Sequence, residues 1–205
     1  VSGDAAVSAW SARAFKMEAA RAKADDVMVQ ALLPLSEALQ AGDPVAADRA
    51  GRLALSNVAL DDPLVTTSYF ALLVSTVRGG RNDLAATWGL RLGAMPPYYL
   101  ASLQNDPLPI LETVADWLLD QGRVNEAVEL CEAIAALAPL RDGPSAPAVG
   151  RALARLGSAY RDAGRQPQAR ATLQQALVSL GPAPGGQSAA LAVRILTDLA
   201  FLARD

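Results

Sequence analysis

Three carboxylates recur at every fourth position in the second half of the chain: Glu112, Asp116 and Asp120. On a helix that spacing places them on one face, and neighbouring carboxylates can serve general acid-base chemistry. Such chemistry requires a closed pocket that drives the two pKa values apart. A carboxylate stripe in an open groove is solvated or ion-paired instead, and that is the expectation here. Further along, Arg151, Arg155, Ser158 and Asp162 share another helix face. Two guanidinium forks one turn apart can hold a carboxylate through parallel hydrogen bonds. The plainer reading pairs Arg151 and Arg155 with Glu112 and Asp116 across adjacent helices. Exposed pairs of that kind contribute about 0–1 kcal/mol, so they set register more than stability. Local charge agrees with the juxtaposition: residues 109–149 carry two arginines against seven carboxylates, residues 150–205 seven arginines against three.

Other chemistries lack their residues. The 205-residue chain has no histidine, which removes His-based triads, His zinc sites and His proton shuttles. Cys131 is the only cysteine, so there is no intramolecular disulfide and no thiolate cluster. It lies among Leu130, Ile134 and Leu137 and reads as a buried, inert thiol. No phosphate loop and no serine elbow occurs, so neither a metal nor a cofactor is expected. Formal net charge is -3, which gives no general attraction to nucleic acid or to a membrane surface. The longest apolar run, residues 69–74, falls far short of the roughly 18 residues of a membrane span. Basic charge sits almost wholly on arginine, with Lys16 and Lys23 the only lysines, a bias read as a GC-rich bacterial genome. The start at Val1 reads as a processed product or a piece of something longer, and compartment and oligomeric state stay open.

What must position these side chains is a repeated helical unit. Gly42, Gly80, Gly122 and Gly164 are each followed five residues later by an alanine, at Ala47, Ala85, Ala127 and Ala169. Each glycine follows one helical pattern and precedes another, so each unit is a helix, a tight turn and a second helix. Glycine suits the turn because helices commonly exit through a left-handed residue, and alanine one turn into the second helix permits close approach. Asp43-Pro44, Asp62-Pro63 and Asp106-Pro107 read as helix starts. Pro139 and the 181–186 Gly/Pro run read as ends of second helices.

The expected fold is therefore all-α. First helices lie near residues 25–41, 64–79, 107–121 and 148–163, and second helices near 44–59, 82–94, 124–138 and 166–180. The repeats divide at 25–63, 64–106, 107–147 and 148–186. Residues 4–23 read as an N-terminal helix within segment 1–24. Residues 187–204 read as a capping helix or the start of a fifth repeat.

In the fourth repeat, Leu156-Gly157, Tyr160, Gly164, Ala169, Leu173, Ala176 and Pro182 resemble the tetratricopeptide repeat pattern. The third is similar from Gly122 to Pro139, with Ala115 and Leu118 where Gly and Tyr are usual. The first two depart more, with Gly51 and Gly89 at positions usually bulky and Leu35 and Leu73 at positions usually small. The period of 38 to 42 residues exceeds the roughly 34 of strict repeats. It is similar to kinesin light chains and to sensor arrays of bacterial signal-transduction ATPases and regulators.

The resemblance implies an α/α right-handed superhelix, or solenoid, of four helix pairs with additional terminal helices, whose first helices line a concave groove. It implies a non-enzymatic scaffold that binds a protein or peptide partner there. The alternative is a ligand- or peptide-sensing domain of a signalling ATPase or transcription regulator. The expected groove residues are Phe70, Val74 and Val77 for apolar side chains, and Glu112, Asp116, Asp120, Arg151 and Arg155 for charged ones. Arg151 with Arg155 resembles the basic pair with which some tetratricopeptide domains grip a terminal carboxylate. Phe70 and Val74 stand where that clamp's Lys and Asn would be, so the full clamp is not expected. The apolar helix around Phe70 is either covered by residues 4–23 or open as a trough. Residues 94–99 read as a loop carrying Tyr98 and Tyr99.

Overall fold

Each repeat glycine takes a left-handed turn, with φ of 70°, 68°, 71° and 72° at Gly42, Gly80, Gly122 and Gly164. At all four turns the glycine N–H donates three residues back and the next N–H five residues back, as in Gly164 to the Arg161 carbonyl (2.9 Å) and Arg165 to the Tyr160 carbonyl (2.8 Å). This double closure ends one helix and starts the next within two residues. The alanines that follow are all fully buried.

A computed structural model describes residues 27–56, 63–143, 147–181 and 186–203. Among these residues are ten helices and no strand: α1 Val27–Ala41, α2 Pro44–Ala54, α3 Pro63–Arg78, α4 Asn82–Gly93, α5 Pro97–Ala101, α6 Leu108–Asp120, α7 Val124–Asp142, α8 Pro147–Asp162, α9 Gln166–Leu180 and α10 Gln187–Leu202. The chain forms two compact units, divided after Ile110.

In the first unit, the α1–α2 and α3–α4 hairpins stack through α2 and α3. Asp43 caps α2, accepting from the N–H groups of Val45 (2.9 Å) and Ala46 (3.0 Å). Gly51 is required because Leu72 of α3 lies against it: a Cβ there would come within 2.5 Å of the leucine. The usual bulky residue is thus replaced by one that lets α3 approach. The fully buried Trp88 donates its Nε1–H to Asp48 at 2.9 Å, which satisfies the one polar group of a large core side chain.

In the second unit, α8 packs against α7 and α9, and α10 packs against α9 and α8. Leu173 of α9 fills the space over Gly157 and Leu180 the space over Gly150. Leu118, Leu130, Ile134, Leu137 and Leu173 are fully buried, each contributing about 1.5–3 kcal/mol relative to exposure. Cys131 is fully buried among them. Burial, with the nearby Glu112 and Glu132 carboxylates, pushes its thiol up to about 12.

Two local expectations are corrected. Pro139 does not end α7, which runs on to Asp142. Proline removes a donor only at its own position, and its carbonyl still accepts from Gly143 at 3.1 Å. Residues 94–99 are not wholly loop, because Pro97 begins the short helix α5. There Met95 and Leu100 are buried while Tyr98 stays 59% exposed. The expected helix at 4–23 and the Asp62-Pro63 cap fall wholly or partly outside the described residues.

Candidate partner-binding site

Charged side chains from three helices of the second unit meet at one cavity. Its volume is about 500 Å3, and Glu112 of α6, Arg151 and Arg155 of α8, and Ser188, Ala190, Leu191 and Arg194 of α10 line it. Helices α6 and α8 each precede a left-handed glycine turn, at Gly122 and Gly164. Arg155 bridges towards α6: its guanidinium pairs with Asp116 and lies 3.7 Å from Glu112. Partial burial and the like charge of Arg194 lower its affinity for the proton, with Glu112 acting in the opposite direction.

The cross-helix pairing read from the sequence therefore forms at Arg155. Arg151 lines the same cavity but meets no carboxylate among the described residues. Asp120 is exposed at the end of α6 and lies apart from the cavity lining. Glu112 and Asp116 both face one guanidinium, an arrangement unlike a proton-sharing carboxylate pair.

Phe70 and Val74 sit in the first unit at 5% and 6% exposure, within an unbroken buried run over residues 69–76. Among the described residues, α1, α2, α4 and α5 pack against α3, and at this burial neither side chain offers a surface to a partner. Val77 is partly exposed.

Sequence reasoning missed Arg194. The available signal was spacing: Asp116 and Arg155 are 39 residues apart, and Arg194 follows Arg155 by the same interval. A second ladder runs beside the first. Asp198 of α10 accepts from Arg161 of α8 at 2.5 Å and lies 3.5 Å from the Ser158 hydroxyl. The backbone carbonyl of Leu202 accepts from Arg170 of α9. These contacts tie α10 to both α8 and α9.

Helix hairpins that repeat in one register, with first helices sharing a lined concavity, define an α-helical repeat protein. The tetratricopeptide repeat family model matches residues 107–177, and over that stretch the chain is similar to a tetratricopeptide-like helical repeat. Repeats of this family generally mediate protein-protein interaction and are typically non-enzymatic. No curated protein and no solved structure matches the chain. Among the described residues, no helix is long and apolar enough to cross a membrane.

Proposed function

We propose that the chain is a non-enzymatic module that binds a protein or peptide partner on the first-helix face of its second unit. The observation that carries this reading is the convergence of α6, α8 and α10 on one cavity. Three successive helices of a repeat stack contribute polar side chains there, over Ala190 and Leu191. A peptide laid across such helices meets a regularly spaced set of side chains, the usual basis of groove recognition in stacked repeats. Glu112, Asp116, Arg151 and Arg155 belong to the proposed surface, whereas Asp120, Phe70 and Val74 do not. No nucleic acid is proposed as the partner of this face.

The test is a panel of peptides of varied charge titrated against the full chain, with any bound peptide located by amide hydrogen exchange. Protection confined to residues 108–120, 147–162 and 187–202 supports the reading. Protection centred on α7 and α9, around Glu126, Glu129 and Arg170, moves the surface to the second helices. Failure of every peptide to bind overturns the reading.

A further inference from the structure

The cavity lining is unbalanced, with Arg151, Arg155 and Arg194 against Glu112 alone. Arg155 is already engaged by Glu112 and Asp116, while Arg151 and Arg194 face no carboxylate among the described residues. Like charge concentrated in one concavity is the reverse of the chain's overall balance of -3. Ser188 and Ala190 belong to the first turn of α10, whose positive helix end adds to the field. Arg151 and Arg194 carry like charge on the same cavity, so an anion beside them is attracted by both.

We propose that this cavity receives an acidic segment of the partner peptide, in which two neighbouring Asp or Glu side chains engage Arg151 from α8 and Arg194 from α10. The inference rests on the peptide-binding reading above and specifies the partner's chemistry. The two unengaged guanidiniums come from different helices, and a cavity of about 500 Å3 leaves room for two carboxylates rather than one. Ala190 and Leu191 supply an apolar wall for the methylenes of glutamate. Arg155 is a positioning residue, held by Glu112 and Asp116. Glu112 competes with the incoming carboxylates for the same positive field, so it tempers affinity.

The experiment titrates short fluorescent peptides bearing a central Glu-Glu pair against the full chain. They are prepared C-terminally amidated, as the free acid, and with Gln-Gln in place of the acidic pair. The chain is tested as wild type and as Arg151→Ala, Arg194→Ala and Glu112→Gln, each checked for unchanged helicity. The acidic peptide is expected to bind amidated or free. Each arginine variant should lose about two- to fivefold, as expected when an exposed charge contact is removed, and Glu112→Gln should bind severalfold tighter. A structural role for Glu112 alone would give no gain. Equal binding of the Gln-Gln peptide, with no loss in the arginine variants, overturns the acidic-partner inference and leaves the peptide-binding reading standing. Binding only of the free-acid form overturns it in favour of a terminal carboxylate. Equal competition by an oligothymidylate overturns it in favour of unspecific polyanion binding. If no peptide binds at all, the underlying reading falls first.

Discussion

Gly157 shows how much a single missing Cβ decides. A methyl there would meet the Leu173 side chain at 2.6 Å and the Leu173 backbone nitrogen at 3.3 Å. Leu173 is fully buried and cannot swing into water. Gly157→Ala is therefore expected to destabilise by about 1–3 kcal/mol, the usual cost of overpacking, outweighing the gain in helix propensity. Urea unfolding measures it, and an unchanged midpoint would mean that α9 shifts freely. Cys131 yields a prediction in pH. Its folded thiol is pushed from 9.0 up to about 12, so the native state keeps a proton that the unfolded chain gives up. That contribution is whole below about pH 9 and is lost as pH climbs towards about 12. The Tyr160 hydroxyl, buried and donating to Glu132 at 2.7 Å, is likewise raised to about 12, adding to the alkaline loss. Cys131→Ala should flatten the decline in urea midpoint above pH 9, apart from a constant packing cost.

At the scale of the element, the turns share one closure but differ in their caps. Gly42, Gly80, Gly122 and Gly164 all require left-handed backbone, which costs other residues roughly 1–2 kcal/mol. Gly164→Ala should lower stability by about that amount while leaving helix content unchanged. The open space beside Gly164 means that the cost is purely conformational. The starts of the second helices are less uniform: Asp43 accepts two backbone hydrogen bonds, while Arg81, Arg123 and Arg165 provide no side-chain cap. Asp43→Ala should cost about 1 kcal/mol, measured by thermal unfolding. Failure to see the loss would show that water satisfies those two donors equally well.

For the whole molecule, charge composition sets how binding answers to solution conditions. With no histidine in the chain, no side chain with an unperturbed pKa near neutrality is present. Affinity for an acidic peptide should accordingly be flat from about pH 5.5 to 7.5. It should fall below roughly pH 4.5, where peptide carboxylates take up protons. It should also weaken steadily with salt, because Arg151 and Arg194 are exposed and their attraction is screened within about 10 Å at 0.1 M ionic strength. Isothermal titration across pH and ionic strength checks both. A midpoint near pH 6.5 would point to a titrating group outside the described residues.

The repeat was legible in the chain because its signals are local. A left-handed glycine five residues before a buried alanine, with Asp-Pro starts, needs only nearest-neighbour sterics and hydrogen bonding to mark both helices of a pair. The Glu112, Asp116 and Arg155 grouping was legible too, since helix periodicity chooses the face and the repeat period chooses the neighbour. Three matters needed the tertiary structure. Phe70 and Val74 look like groove anchors on an isolated helix, whereas in the folded chain both are buried. Gly51 looks like a defect in the pattern until Leu72 is seen against it. Arg194 joins Arg151 and Arg155 only because α10 packs back on α8. Helix sequence specifies which residues share a face, whereas contact with the next helix decides whether that face meets solvent, a neighbour or a cavity.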